Sequence, residues 1–123
     1  PVVNIAMLAV VVGIPLVAIG IALRSPIWEL AATLLLGSAA IALAVLQFVA
    51  AVRSKIPQAL SLLGISSISL ATAMVLAVLY AFGRFQGKPM LEIPTMIATH
   101  GLLNAVGFSL FGLLGWRCID RLF

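Results

Sequence analysis

Charged residues are scarce in this sequence. Lys and Arg together number 7 and Asp and Glu number 3, so the charged share is 8%, against the usual quarter or so of a soluble protein. In contrast, 64% of the residues are hydrophobic. A soluble domain could not cover its surface with so little charge. The composition therefore excludes an ordinary soluble fold and indicates a protein that faces lipid.

Cysteine and histidine are rarer still, with one residue of each. The lone cysteine, Cys118, excludes an intrachain disulfide and a cysteine-based metal cluster. No second histidine and no carboxylate lies within an apolar run beside His100, so we predict no metal site. The sequence also has no nucleophile motif, no glycine-rich phosphate loop and no pair of carboxylates, and we therefore predict that the protein is not an enzyme.

The positive charge balance does not indicate a nucleic-acid partner. A net charge of +4 in a soluble domain would suggest nucleic acid. Here the basic residues are dispersed at the ends of apolar runs, where they anchor helices to lipid headgroups and influence topology. We predict the lipid bilayer as the surroundings and no nucleic acid as a partner.

The spacing of the charges predicts the architecture. The ten charged residues fall in four clusters, and the apolar runs between them are each about 20 residues or longer, which is the length a helix needs to cross a bilayer. The sequence thus predicts an all-α, polytopic membrane protein, a bundle of four transmembrane helices with short loops. We expect a single transmembrane domain over residues 1–123, with spans at about 2–23, 27–52, 57–82 and 95–116.

The distribution of basic residues gives a topology. One side of the membrane would hold both termini and four basic residues, and the other side three: Arg53, Lys55, Arg117 and Arg121 against Arg24, Arg84 and Lys88. Because positively charged loops tend to stay inside, we predict a multi-pass protein of the cell membrane with both termini in the cytoplasm.

Small and polar residues recur at helical spacing in the second and third spans, and each set lies along one face. They are Gly37, Ala40, Ala44 and Gln47 in the second span, and Ser66, Ser69 and Ala73 in the third. Lipid supplies no hydrophobic drive for helix association, so close packing over small residues and occasional hydrogen bonds must supply it. We expect both faces to contact other helices. The serines either hold helices together or line a polar path.

The fourth span carries a polar pair, His100 and Asn104. On a regular α-helix the residues sharing their side would be Met96, His100, Asn104, Gly107 and Phe111. A polar pair in hydrocarbon is costly without partners, so this face is expected to point into the bundle, toward Gln47 or the serines of the third span.

Several roles for His100 stay open on the sequence. It could relay protons or sense pH, because imidazole titrates near neutral pH. It could ligate a metal or the central metal of a tetrapyrrole, or bind a polar ligand together with Asn104. The structural alternative is a neutral histidine that hydrogen-bonds across helices. No motif implies a cofactor.

The stretch "MIATHGLLNAVGFSLFGLLGW" resembles the YndJ-like family of bacterial integral membrane proteins, in its Thr-His-Gly, Asn-Ala and Gly-Phe elements. The matching residues are Thr99, His100, Gly101, Asn104, Ala105, Gly107 and Phe108. The resemblance covers the last span, about a fifth of the chain. It implies a polytopic bacterial membrane protein of undefined activity, in a family sometimes labelled as candidate transporters whose members tend to have more than four spans.

These observations predict a transporter or small-ligand binder with a polar site in the bundle. The candidate ligand-binding residues are His100, Asn104, Thr99, Gln47, Ser66 and Ser69. The candidate helix-packing residues are Gly37, Ala40, Ala44, Ala73, Gly101 and Gly107. The alternative is a structural accessory subunit of a larger membrane complex, of which a pigment- or quinone-containing complex is one case. In either case we expect a homo-oligomer or other membrane subunits as partners.

Overall fold

The computed structural model of the protein describes residues 1–121, and they form four membrane-length helical spans. The first three are α1 (Val2–Ala22), α2 (Pro26–Ser54) and α3 (Pro57–Phe85). The fourth consists of α4 (Ile93–Leu102), a π-helix (Leu103–Leu110) and α5 (Phe111–Asp120). All four are apolar enough to cross a membrane, and no strand occurs among residues 1–121. The predicted all-α, four-helix membrane fold is confirmed.

The helix bounds differ from the predicted ones by four residues at most. The largest difference is at the end of the fourth span, which continues to Asp120, and α2 and α3 also continue past Arg53 and Arg84. Long basic side chains can stay in a helix at a membrane boundary because they reach back to the headgroups.

Proline begins the second and third helices. Pro26 and Pro57 each occupy the first helical position, where the missing N–H costs nothing because no partner is available there. The α2 helix ends at Ser54, and the next residue, Lys55, has a φ of 57° that turns the chain two residues before α3 begins. Short connections of this kind make successive spans antiparallel.

The buried core lies along the seam between α2 and α3. Ala40 and Ala44 of α2 pack against Leu70, Ala73 and Met74 of α3. Their small side chains allow the two backbones to approach closely. On either side of this pair, α1 packs along α2 and the fourth span packs along α3.

The π-helix changes which residues of the fourth span face α3. Ser66 Oγ donates a 2.8 Å hydrogen bond to the carbonyl oxygen of Phe108, inside this wider turn. Gly107 lies against Ser69, and the next residue on this face is Gly112, five residues later, which lies against Ser66. A regular α-helix would have presented Phe111. The single helical face predicted for the fourth span is therefore wrong beyond Gly107, because π-type turns advance the contact by five residues.

Gly101 also differs from its prediction as a helix-packing residue. It is exposed, and a Cβ placed on it would meet no atom within 4 Å. Gly37, by contrast, is buried, and a Cβ there would lie 3.4 Å from the side chain of Val78. Within the described chain, Gly101 therefore contributes nothing to helix contacts.

Candidate functional site

The imidazole of His100 is directed at the neighbouring helix. Its Nδ1 lies 2.9 Å from the carbonyl oxygen of Ala73 in α3. A carbonyl oxygen can only accept, so Nδ1 carries the hydrogen and donates it. In the neutral ring, Nε2 is then left as a hydrogen-bond acceptor. The expected inward direction of His100 is thus observed, although its partner is a backbone carbonyl rather than Gln47 or a serine.

Asn104 and Thr99 serve the backbone of their own helix. Asn104 Nδ2 donates to the carbonyl oxygen of His100 at 3.0 Å, and Thr99 Oγ1 donates to that of Thr95 at 2.7 Å. Thr99 is also exposed. The side chain of Asn104 therefore makes no hydrogen bond to the His100 ring. The two residues of the polar pair are linked through the backbone carbonyl of His100.

Gln47 is the centre of a separate polar cluster. Its Nε2 donates to Ser66 Oγ at 2.8 Å and lies 3.3 Å from Ser67 Oγ, while Trp116 Nε1 donates to its Oε1 at 3.4 Å. These contacts join α2, α3 and α5. Ala73, the partner of His100, lies seven residues after Ser66, which is about 10 Å along α3. The structure thus divides the predicted ligand-binding residues between two places.

His100 lines a cavity of about 200 Å³ to which all four spans contribute. We call it the Glu29 cavity. Its lining residues are Val17 and Ile21 of α1, Glu29, Thr33 and Leu36 of α2, Met74, Ala77, Tyr80 and Ala81 of α3, and Met96 and His100 of α4. They lie at the end of the bundle that also holds the connection 23–25 and the loop 86–92.

Glu29 is the charged group of this cavity. Its side chain is only 3% exposed, and Oε2 is buried without a hydrogen-bond partner among the described residues. The Nε of Arg84, on a partly exposed side chain, lies 3.5 Å from the same oxygen. A charge-assisted hydrogen bond would measure about 2.7–2.9 Å. Arg84 therefore balances the charge of the carboxylate from a distance of 3.5 Å, but Oε2 can still accept a hydrogen bond.

Gly20 explains how a glutamate in the first turn of α2 becomes buried. A Cβ at Gly20 would lie only 2.8 Å from the backbone nitrogen of Glu29, so the absence of a side chain lets α1 approach the start of α2. Thr33 Oγ1 donates to the carbonyl oxygen of Glu29 at 2.7 Å within the same helix. The backbone of Glu29 thus lies against α1, and its carboxylate lies beside Arg84 of α3.

The sequence did not predict Glu29 as a site residue, because Glu29 stands at the end of a span as the other charged residues do. A signal was present in "RSPIWEL", since a proline that begins a helix places the glutamate three residues later inside the first turn. The sequence could not show that Gly20 would bring α1 against this turn. Burial, rather than position in the span, distinguishes Glu29 from the exposed Glu92.

Comparison with known proteins places the chain in a family. The sequence profile described as YndJ-like protein matches residues 1–108, which is most of the chain. The chain belongs to the YndJ-like family. The match extends over the first three spans and ends inside the fourth, so the relationship is much wider than the last-span motif that suggested it. This places Glu29 as well as His100 inside the region shared with the family.

A curated relative is the uncharacterized membrane protein YndJ of Bacillus subtilis (strain 168). It is 39% identical over 77 residues, which cover 63% of this chain and 14% of that protein. The chain therefore corresponds to a small part of that relative's length. No solved structure matches the chain. Together with the four apolar helices, these findings identify an integral, multi-pass membrane protein.

Proposed function

We propose that this membrane protein binds a small polar ligand inside its helix bundle, in the Glu29 cavity, as a binding or transport protein. The observation that carries the proposal is the buried carboxylate of Glu29, whose Oε2 has no hydrogen-bond partner among the described residues and which shares a cavity with His100. Ionisable residues inside a membrane bundle are costly, and they commonly mark substrate or ion pathways.

The energetics of the Glu29–Arg84 pair support a functional rather than a structural role. Glu29 is buried and Arg84 is partly exposed, and replacing an ion pair that buries charge by apolar side chains of similar size is often neutral or stabilising. A bundle that needed only stability at this position would be served as well by leucine. The pair is therefore best accounted for by the charge that it brings into the cavity.

The volume of the cavity limits the size of the ligand. Drug-sized ligands occupy pockets of roughly 300–1,000 Å³, whereas a water molecule needs roughly 10–15 Å³ of probe-occupied space. The Glu29 cavity, at about 200 Å³, suits a molecule of a few non-hydrogen atoms. A metal centre is not part of the proposal, because residues 1–121 contain no group of three His, Cys, Asp or Glu side chains suited to a metal ion.

The proposal is tested by thermal unfolding of the purified protein in detergent, with cationic, anionic and neutral polar solutes at matched ionic strength. A ligand at 100 times its Kd stabilises a protein by roughly 2.7 kcal/mol. We expect at least one solute class to raise the unfolding temperature, and we expect Glu29→Gln and His100→Leu to reduce that rise. Glu92→Gln, which alters an exposed glutamate, is the matched control.

Two results would overturn the proposal. One is that no solute class raises the unfolding temperature of the parent protein. The other is that the rise is the same in Glu29→Gln, His100→Leu and Glu92→Gln, since the solute would then act elsewhere.

A groove at the other end of the bundle favours a second candidate, an accessory subunit of a larger membrane complex. The groove measures about 730 Å³ and is mainly apolar, with Met7 of α1, Leu46 of α2 and Phe108 and Trp116 of the fourth span among its lining residues. The groove exists because α1 packs along α2, so that a gap remains between α1 and the fourth span. A pigment, a quinone or a helix of another subunit would fill such a groove. Native mass spectrometry after gentle extraction would detect any of them as added mass.

A further inference from the structure

Arg84 shows how a cation is held beside the Glu29 cavity. Its Nε lies 3.5 Å from Glu29 Oε2, and its guanidinium carbon lies 6.0 Å from the centroid of the Tyr80 ring. Carboxylates and aromatic faces both bind organic cations in proteins. Both Glu29 and Tyr80 also line the cavity itself. A cation in the cavity would therefore lie beside both residues.

The contact between Arg84 and Glu29 is loose enough to be exchanged. It is longer than a charge-assisted hydrogen bond, and Glu29 Oε2 accepts no hydrogen bond from the described residues. The arginine side chain is 35% exposed, so it can be solvated when it leaves the carboxylate. A ligand able to donate a direct hydrogen bond to Oε2 would thus compete favourably with the guanidinium.

The other lining residues distinguish between kinds of cation. Hard metal ions require about six or more oxygen ligands. The cavity offers the Glu29 carboxylate and two hydroxyls, and the hydroxyl of Thr33 already donates to the Glu29 carbonyl oxygen. Most of the remaining wall is apolar, with Met74 and Met96 among its larger side chains. An ammonium group on a short hydrocarbon chain fits this lining better than a bare or hydrated metal ion.

We propose that the ligand of the Glu29 cavity is a small organic ammonium ion, which takes the place of Arg84 on the carboxylate of Glu29. This inference rests on the proposed function and specifies its ligand. The ammonium group donates to Glu29 Oε2, while the hydrocarbon chain packs against the apolar wall of the cavity. Arg84 is displaced toward the membrane surface as the ligand enters.

A series of probes of similar size but different charge tests this assignment. The probes are n-butylammonium chloride, n-butanol, sodium butyrate and sodium chloride, and binding to the purified protein is measured by isothermal titration calorimetry at constant ionic strength. We expect n-butylammonium to bind at least tenfold more tightly than n-butanol or butyrate, and sodium chloride to give no saturable binding. This comparison on the parent protein decides the class of ligand without any variant.

Two variants test the roles of the charged residues, with helical content measured by circular dichroism. Glu29→Gln is expected to weaken n-butylammonium binding at least tenfold. Arg84→Gln is expected to tighten it several-fold, because the competing cation is removed. Glu92→Gln is the control and should bind as the parent does.

The outcomes separate this inference from the proposed function. Equal or tighter binding of n-butanol or butyrate, lost in Glu29→Gln, would overturn the ammonium assignment and leave a small-ligand site in place. Weaker binding of n-butylammonium to folded Arg84→Gln would overturn the exchange with Arg84. Failure of every solute class to bind would overturn both the assignment and the proposed function.

Discussion

At the scale of single residues, two polar side chains of α2 differ in their surroundings: Gln47 is half-buried and Glu29 is buried. Gln47 has partners on two other helices, Ser66 on α3 and Trp116 on α5. Glu29 has a carboxylate oxygen that no described residue satisfies by a hydrogen bond. A satisfied polar group stabilises packing, whereas an unsatisfied one next to a cavity is available to a ligand. The difference assigns Gln47 to structure and Glu29 to the candidate site.

Replacing Gln47 tests this division. Gln47→Leu removes its hydrogen bonds to Ser66 and Trp116, and hydrogen bonds between membrane helices contribute about 0.6 kcal/mol each on average. We expect a loss of about 1–2 kcal/mol of unfolding free energy with the response to solutes unchanged. Gln58→Leu, at an exposed glutamine of α3, is the control for loss of an amide. A lost solute response in Gln47→Leu would place the ligand in the Gln47 cluster instead.

At the scale of helices, the number and extent of the spans could be predicted, because length and hydrophobicity decide them. The small-residue faces of α2 and α3 could also be predicted, since spacing alone determines which residues share a face. The π-helix could not, because Ser66 accepts from Gln47 and donates to Phe108, a contact between three helices. Glu29 was missed for the same reason, since its burial depends on Gly20 of another helix.

Two glycines of the fourth span give a matched test of helix packing. A Cβ at Gly115 would lie 2.6 Å from the side chain of Leu63 and 3.1 Å from its backbone nitrogen, whereas a Cβ at Gly101 would meet nothing within 4 Å. We expect Gly115→Ala to destabilise the protein by about 1–3 kcal/mol through overpacking. Gly101→Ala should be neutral or stabilise by up to about 1 kcal/mol, because alanine favours helix. Thermal unfolding in detergent that gave both variants the same sign would contradict the observed packing.

At the scale of the whole molecule, the two ends of the bundle differ in character. One end holds the Glu29 cavity, which is lined by residues of all four spans and contains a buried carboxylate, and the other holds the Gln47 cluster and an apolar groove between α1 and the fourth span. The first suits a small ligand and the second suits lipid, a hydrophobic cofactor or another helix. The proposed binding function and the proposed place in a larger assembly therefore use different surfaces.

The double variant Glu29→Met with Arg84→Met tests the claim that the charge of Glu29 is present for a ligand and not for stability. We expect its unfolding temperature without solute to equal or exceed that of the parent, because an apolar side chain replaces the buried charge of Glu29 and the partly exposed Arg84 is removed with it. We also expect that solutes which stabilise the parent no longer raise that temperature. A double variant that keeps the full solute response would contradict the claim.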